Sequence, residues 1–247
     1  MAETAEERNE AAMGKWDPAY RLVSSDFIPW TQWDVPIREA KVALVSTGGA
    51  YLKRMHVPFD TASPAGDPSF REFPSVAEAE DIVVAHTKGD CRYAAEDINV
   101  VFPLDRLHQL ASAGYIGSVG PFAYSFMGHV TDPTDLLSNY APSVAYRLKR
   151  MGADVALVVA AHPMDSQVAA VVARAIELAG VPTVVMGTDR DLLELVRAPR
   201  AVVVANPAGA PLGEPGNAGK HQEVIRAVFA AAWSFQRAGG VADLELL

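Results

Sequence analysis

The chain has 247 residues, with 21 basic and 30 acidic side chains and a formal net charge of −9. That balance, without any basic patch, excludes nucleic acid as a default partner, because phosphate binding needs clustered Lys and Arg. Half of the residues are hydrophobic and 21% are charged, the composition of a folded globular protein and not of a disordered one.

Residues 1–13 carry four Glu and no apolar core ahead of a cleavage site, so they read as a frayed or disordered lead and not as a signal peptide. Residues 14–40 hold Trp16, Trp30 and Trp33 with Pro18, Pro29 and Pro36 and show no sustained period. This is an extended arm that packs its aromatics on its own body or on a partner chain. Residues 41–240 are expected to form a single α/β domain. Short β-branched apolar runs at 41–45, 81–85, 155–161, 183–186 and 201–205 lack alternation, the pattern of strands covered on both faces in a parallel sheet. The longest run, 155–161, has the length of a buried strand and is far too short to cross a bilayer. The single cysteine, Cys91, cannot form an internal disulfide. A cytoplasmic protein without membrane contact is the expectation.

Helical periods occupy 134–150, 164–179 and about 217–237. Gly152 and Gly180 follow the first two as stop signals, and Pro163 suits a first helical position. Alternation of strand and helix over 134–237 implies right-handed crossovers and a three-layer sandwich around a mainly parallel, Rossmann-like sheet. The stretches 48–80 and 86–100 are irregular and too long for simple connections, which marks them as functional or disordered.

In such a sheet ligands bind beyond the carboxyl ends of the strands. The residues there are Ser46-Thr47-Gly48-Gly49, His86-Thr87, His162-Pro163, Gly187-Thr188-Asp189 and Asn206-Pro207. His162 is placed to cap the helix that follows, and the positive helix end disfavours its imidazolium form. A neutral ring there would bind a metal or accept a proton, while Asp165 in the first turn pulls the other way. An ordinary capping role explains His162 equally well. The loop 86–97 gathers His86, Lys88, Asp90, Cys91, Arg92, Glu96 and Asp97 next to a buried strand. His86, Asp90 and His162 have the ligand types of a two-histidine, one-carboxylate centre for a divalent transition metal. The 46–50 segment lacks the third glycine of a dinucleotide fingerprint, and 213–220 misplaces its first glycine for a phosphate loop, so no nucleotide cofactor is expected.

Several blocks in order carry a family resemblance: IPWTQWDVP (28–36), KVALVSTGGAYLK (41–53), PFD (58–60), GDPSFR (66–71), EDINVVFPLDRL (96–107), IGSVGPFAYSFMG (116–128) and PLGEPG (211–216). Over about residues 26–220 the chain resembles the selenoprotein B group of glycine, sarcosine, betaine and D-proline reductases, and most of all the short D-proline-reductase-like branch. The resemblance implies reductive cleavage of a carbon–nitrogen bond in a small amino acid, by a selenocysteine or cysteine after the central strand with a second cysteine nearby. In this chain His162 takes the first of those places and Asp165 the second, while Pro163 and Gln167 match. Imidazole and carboxylate cannot cycle through a disulfide or selenenyl sulfide. The resemblance also implies a pocket lined by Asp60, Asp67, Arg71, His86, Asp90, Asp97, Asn99 and Tyr124, with Gln167 beside it and Glu214 a weaker candidate.

The expectation is a diverged member of that family acting on a small amino-acid-like substrate by acid/base or metal-assisted chemistry. His162, Asp165, His86 and Asp97 are its candidate catalytic residues. Asp60, Asp67, Arg71, Asn99, Tyr124 and Gln167 are candidates for substrate binding. Two alternatives stand beside it: a non-catalytic scaffolding subunit that partners a related reductase-type subunit or a second copy of itself, and residual redox chemistry through Cys91 with an external thiol.

Overall fold

The computed structural model describes residues 19–23 and 25–244, so the lead and the arm residues Trp16 and Pro18 lie outside the described residues. The described residues form ten strands: β1 (Lys41–Ser46), β2 (Ala50–Leu52), β3 (Phe70–Pro74), β4 (Ile82–Val84), β5 (Ser118–Val119), β6 (Phe122–Phe126), β7 (Val155–Val159), β8 (Thr183–Gly187), β9 (Arg200–Val204) and β10 (Gly240–Leu244). The α-helices are α1 (Arg92–Glu96), α2 (Leu104–Ser112), α3 (Ala141–Arg150), α4 (Ser166–Leu178), α5 (Arg190–Leu195) and α6 (Ala218–Trp233). The main sheet runs β10-β9-β8-β7-β1-β6-β3, with β5 also on β1. All its pairings are parallel except β3 with β6.

The non-alternating runs find the expected explanation in β1 and β7. Val42, Leu44, Leu157 and Val159 pack into the core on one face, and Ala43, Val45, Ala156 and Val158 into the core on the other. Successive side chains point to opposite faces, so a strand covered on both sides must be apolar throughout. The run at 81–85 departs from expectation. Its strand β4 pairs antiparallel with β2 in a separate two-stranded ribbon, Ala50 opposite Val84 and Leu52 opposite Ile82. The periodicity also passed over β3, β6, β10 and the short helices α1, α2 and α5.

The chain passes from β1 to β6 on one side of it and then returns to β7 on the other. Adjacent parallel strands whose connections leave in opposite directions create a crevice at their carboxyl ends. Here that point lies between β1 and β7, at Thr47 and His162. The β2–β4 ribbon is held to the end of β1 through the Ala85 N–H, which donates to Gly49 O at 2.9 Å, and it delivers His86 to the same place.

The described part of the arm lies on its own body. Trp33 is buried in edge contact with Phe229 and Trp233. Thr31 N–H donates to Glu177 Oε2 at 2.5 Å, and the Thr31 carbonyl accepts from Arg200 Nη2 at 3.2 Å. Arg200 stacks under the Trp30 ring at 3.9 Å and pairs with Glu177 at 3.1 Å, both side chains being almost wholly buried. Burial raises the Glu177 carboxyl and lowers the Arg200 guanidinium from their ordinary values, each acting against the attraction of its partner. Truncation of one partner strands the other charge in the interior. Glu177→Ala is therefore expected to destabilise the protein by about 3–5 kcal/mol in urea unfolding. A loss below about 1 kcal/mol, the level of an exposed pair, would show that this latch does not hold the arm.

Candidate functional site

Asp165 sits in the single turn Pro163–Asp165 that leads into α4, and none of it is exposed. Its carboxylate is shared. Oδ1 faces His86 Nε2 at 3.0 Å. Oδ2 accepts from the His162 backbone N–H at 3.1 Å and from the Thr47 hydroxyl at 3.0 Å, and faces His162 Nδ1 at 3.2 Å. The two imidazoles lie with centroids 4.7 Å apart and planes inclined at 53°.

Hydrogen-bond direction fixes where the ring protons sit. His86 Nδ1 accepts from the Gly89 N–H at 2.8 Å and the Lys88 N–H at 3.3 Å, so the proton of that ring is on Nε2 and points at Asp165. His162 has acceptors on both sides: Asp165 on Nδ1 and the Asp90 carbonyl oxygen on Nε2 at 3.2 Å. A proton on either nitrogen finds an acceptor, so the surroundings favour the imidazolium form. Burial lowers the His162 pKa, but Asp165 and the Asp90 carbonyl outweigh burial and raise it above its ordinary value. Burial likewise opposes the Asp165 carboxylate, and the two imidazoles overcome it and hold that carboxyl far below its usual range. The carboxylate in the first turn thus acts against the helix end and shifts His162 toward its cation, the opposing pull expected of Asp165.

Close backbone approach frames the rings. A Cβ on Gly89 would lie 2.3 Å from His162 Cε1, one on Gly209 would meet Asp90 O at 2.6 Å and His162 Nε2 at 3.2 Å, and one on Gly128 would meet Asp165 Cγ at 2.0 Å. His162 keeps 8% of its surface.

His86, His162 and Asp165 offer ligand atoms within 4.8 Å of one another, the spacing of a possible metal centre. His162 fits such a role, since its Nε2 could keep donating to a carbonyl while Nδ1 gave its lone pair. His86 does not, because a metal on Nε2 would force a proton onto Nδ1 against two backbone N–H groups. The Asp90 carboxylate, expected as the third ligand, turns outward onto Arg92 at 2.7 Å, and that contact holds it down at about 2. Only its backbone carbonyl reaches the site.

The other candidates are bound up elsewhere. Asp97 accepts from Gly216 N–H and Arg106 Nη2, beside His221, and Asn99 bridges Asp97 and Asp105. Together they tie residues 96–107 to the 211–221 segment, where the Glu214 carbonyl meets His221. Asp60, Asp67 and Arg71 form one loop knot, with Arg71 lying over Phe59. Tyr124 is buried, and burial together with Glu72 pushes its hydroxyl far up. Gln167 fastens the arm through Val23 N–H and Arg21 O. Cys91 lies closer than its sequence position suggests: Asp165 is among the charges that raise its thiol, after burial and Asp90. That is the wrong direction for a thiolate nucleophile. Thr47 was visible in the sequence only as a polar strand end, and the three framing glycines carried no signal.

Residues 13–161 match the family described as Glycine/sarcosine/betaine reductase selenoprotein B (GRDB). The chain belongs to this family. The match ends at Ala161, one residue before His162. The D-proline reductase subunit gamma of Acetoanaerobium sticklandii is 34% identical over 76% of this chain and 76% of its own length. The glycine reductase complex component B subunit gamma of Symbiobacterium thermophilum is 28% identical over 79% of this chain, which spans 46% of that relative. The sarcosine reductase complex component B subunit beta of Peptoclostridium acidaminophilum is 24% identical, and the chain spans 48% of it. These relatives are subunits of reductase complexes, so the family is related to oxidoreductases. No solved structure matches the chain. Among the described residues no helix is long and apolar enough to cross a membrane.

The shared carboxylate makes a pH-dependent prediction. Nuclear magnetic resonance should show His162 titrating above 6.5 in the wild type and at a lower value in Asp165→Asn, where Asp90 alone is left to oppose burial and the helix end. A raised folded pKa contributes stability that is fully present below 6.5 and lost as pH rises through the folded value. The lowered Asp165 value contributes stability above 3.8 that is lost only in stronger acid. The stability advantage of wild type over Asp165→Asn should therefore be greatest between those two ordinary values and shrink as His162 deprotonates. An advantage that grows above neutrality would refute the assigned protonation.

Proposed function

We propose that this chain is a diverged reductase-family subunit that transfers protons at a small amino-acid-like substrate, without thiol or selenol chemistry. His162 occupies the place where the family nucleophile is expected, and Asp165 the place of the second cysteine. The observation that carries the reading is the buried Asp165 carboxylate shared between two imidazoles. A dithiol site stores electrons, whereas this one stores a proton on His162. Carrying a proton, His162 serves as acid, and after losing that proton it serves as base. Asp165 positions and charges it, and His86 holds the other carboxylate oxygen. Asp97 and the other expected binding residues belong to the frame. Partnership with a related reductase-type subunit is part of the proposal, supported by the names of the matched relatives.

A divalent metal on His86, Asp165 and His162 is the second reading, favoured by their spacing and opposed by the backbone donors on His86 Nδ1. Titration with Zn²⁺, Mn²⁺ or Fe²⁺ followed by calorimetry separates the two. Saturable binding in a one-to-one ratio that is lost in His86→Ala would favour the metal.

Proton transfer is tested by incubating the purified protein with D-proline, glycine or sarcosine in D₂O without reductant and following deuterium at the α-carbon by NMR. Exchange is expected to rise with pH through the His162 value, to vanish in His162→Gln and to persist in Cys91→Ser. Exchange that survives His162→Gln, or that requires Cys91, would overturn the role assigned to His162.

A further inference from the structure

A second site is marked by a charge without a counter-ion. Arg174 lies on α4 and is 7% exposed. Its Nη1 donates to the carbonyl oxygens of Val196 and Arg197, at the end of α5, while Nη2 is buried without an acceptor. Among the described residues no carboxylate pairs with it. The natural internal candidate is Glu177, three residues on and on the same helix face, but its oxygens are taken by Arg200, Thr183 and Thr31.

The nearest charge makes matters worse. Arg197 adds its own positive charge, and after burial this is what lowers Arg174, to about 10. Arg197 is also the only non-glycine among the described residues with a positive φ, at 55°, a conformation that costs energy and persists where the surroundings enforce it. Its side chain faces Asp26 at 3.9 Å, and that carboxylate stands fully in solvent. Two guanidinium groups are thus gathered, one of them buried, in a chain whose net charge is −9.

Arg174 lines a cleft of about 350 Å³ between the arm and the outer side of α4. The other walls are mainly apolar, from Val23, Phe27, Leu137, Val171 and Leu178. Phe27, Leu137 and Leu178 are 67%, 44% and 69% exposed, an unusual gathering of large apolar side chains at one opening. The volume is that of a small-molecule site. A buried cation at the floor, apolar walls and an apolar rim together select an occupant with one negative end and a hydrocarbon body.

We propose that this cleft binds a small amphipathic monocarboxylate, its carboxylate on Arg174 and its apolar chain along Leu178 and Phe27. The guanidinium turns toward the cleft to present Nη2, which gains the acceptor it lacks. A bulky folded partner does not suit the site, since only a slim anionic group reaches a side chain so deeply set. The inference stands apart from the chemistry proposed at His162, because no residue is common to both.

The test uses the full-length protein and calorimetry with hexanoate, with hexanamide as its uncharged counterpart. Hexanoate is expected to bind saturably in a one-to-one ratio, at least ten-fold more tightly than the amide. Leu178→Asp, a change at an exposed rim position that leaves the interior intact, should weaken binding at least ten-fold by repulsion, and Arg174→Met should abolish the preference for the acid over the amide. Equal binding of acid and amide, binding indifferent to Leu178→Asp, or no saturable binding of hexanoate would each overturn the proposal. The last result would also arise if the cleft took only an acidic segment of another protein, and it counts against the proposal as stated.

Discussion

Asp165 places an ionised carboxylate where no water reaches it. Transfer of such a group from water costs several kcal/mol even after relaxation, so the fold must supply donors from every direction, and it does so from separate parts of the chain. Thr47 comes from the end of β1, His86 from the ribbon that carries β4, and the His162 backbone and ring from the end of β7. Each donor fixes the segment that carries it. The carboxylate is therefore the clamp that holds the ribbon, the central strand and the head of α4 in one register. The absence of a Cβ at Gly128 is the steric condition for it.

The same clamp decides the charge of His162, and magnitudes show why. A helix end acting on a nearby charge contributes about 0.3–1 kcal/mol. A hydrogen bond to a charged group contributes about 1.5–3 kcal/mol, and His162 makes one to Asp165 with its ring in a setting of low polarity. The local carboxylate wins. Where a thiol at the same helix end would be pushed toward thiolate, an imidazole beside this carboxylate is pushed toward its cation. A thiol and an imidazole at the mouth of α4 thus respond in opposite senses, the first toward an anion and the second toward a cation.

The layers of the fold were legible because β1, β7, β8 and β9 are apolar on both faces and because α3, α4 and α6 carry long periods with clear stops. The failures have local causes. β5 and β6 are one strand path interrupted by Gly120 and Pro121, and β3 (FREFP) mixes charge with aromatics at an edge, so neither gives a clean run. β4 resembles a core strand in composition, and nothing local distinguishes a ribbon from a sheet. At the site, His86, His162 and Asp165 could be named from their places at strand ends and in the first helical turn. The direction of each hydrogen bond could not, because it depends on backbone groups of Asp90, Lys88 and Gly89 that carry no side-chain signal. Asp97 and Asp90 looked equivalent to Asp165 as acidic residues near a histidine, and only the fold separates a carboxylate turned into the crevice from those turned to Arg106 or Arg92.

Two buried arginines associated with α4 show how differently the chain treats the same side chain. Arg200 has a carboxylate, two carbonyl oxygens and an indole face, and its burial serves to bind the arm. Arg174 has carbonyl oxygens alone. If packing were the only requirement at that position, a Met or Leu would fill the space without the desolvation of a cation, since hydrophobic replacements of buried charges are often neutral or stabilising. The arginine keeps a cost that the folded chain does not offset from within. Such an uncompensated charge beside an apolar opening is better understood as half of an interaction than as a packing element, with the other half supplied by an anion from outside the chain.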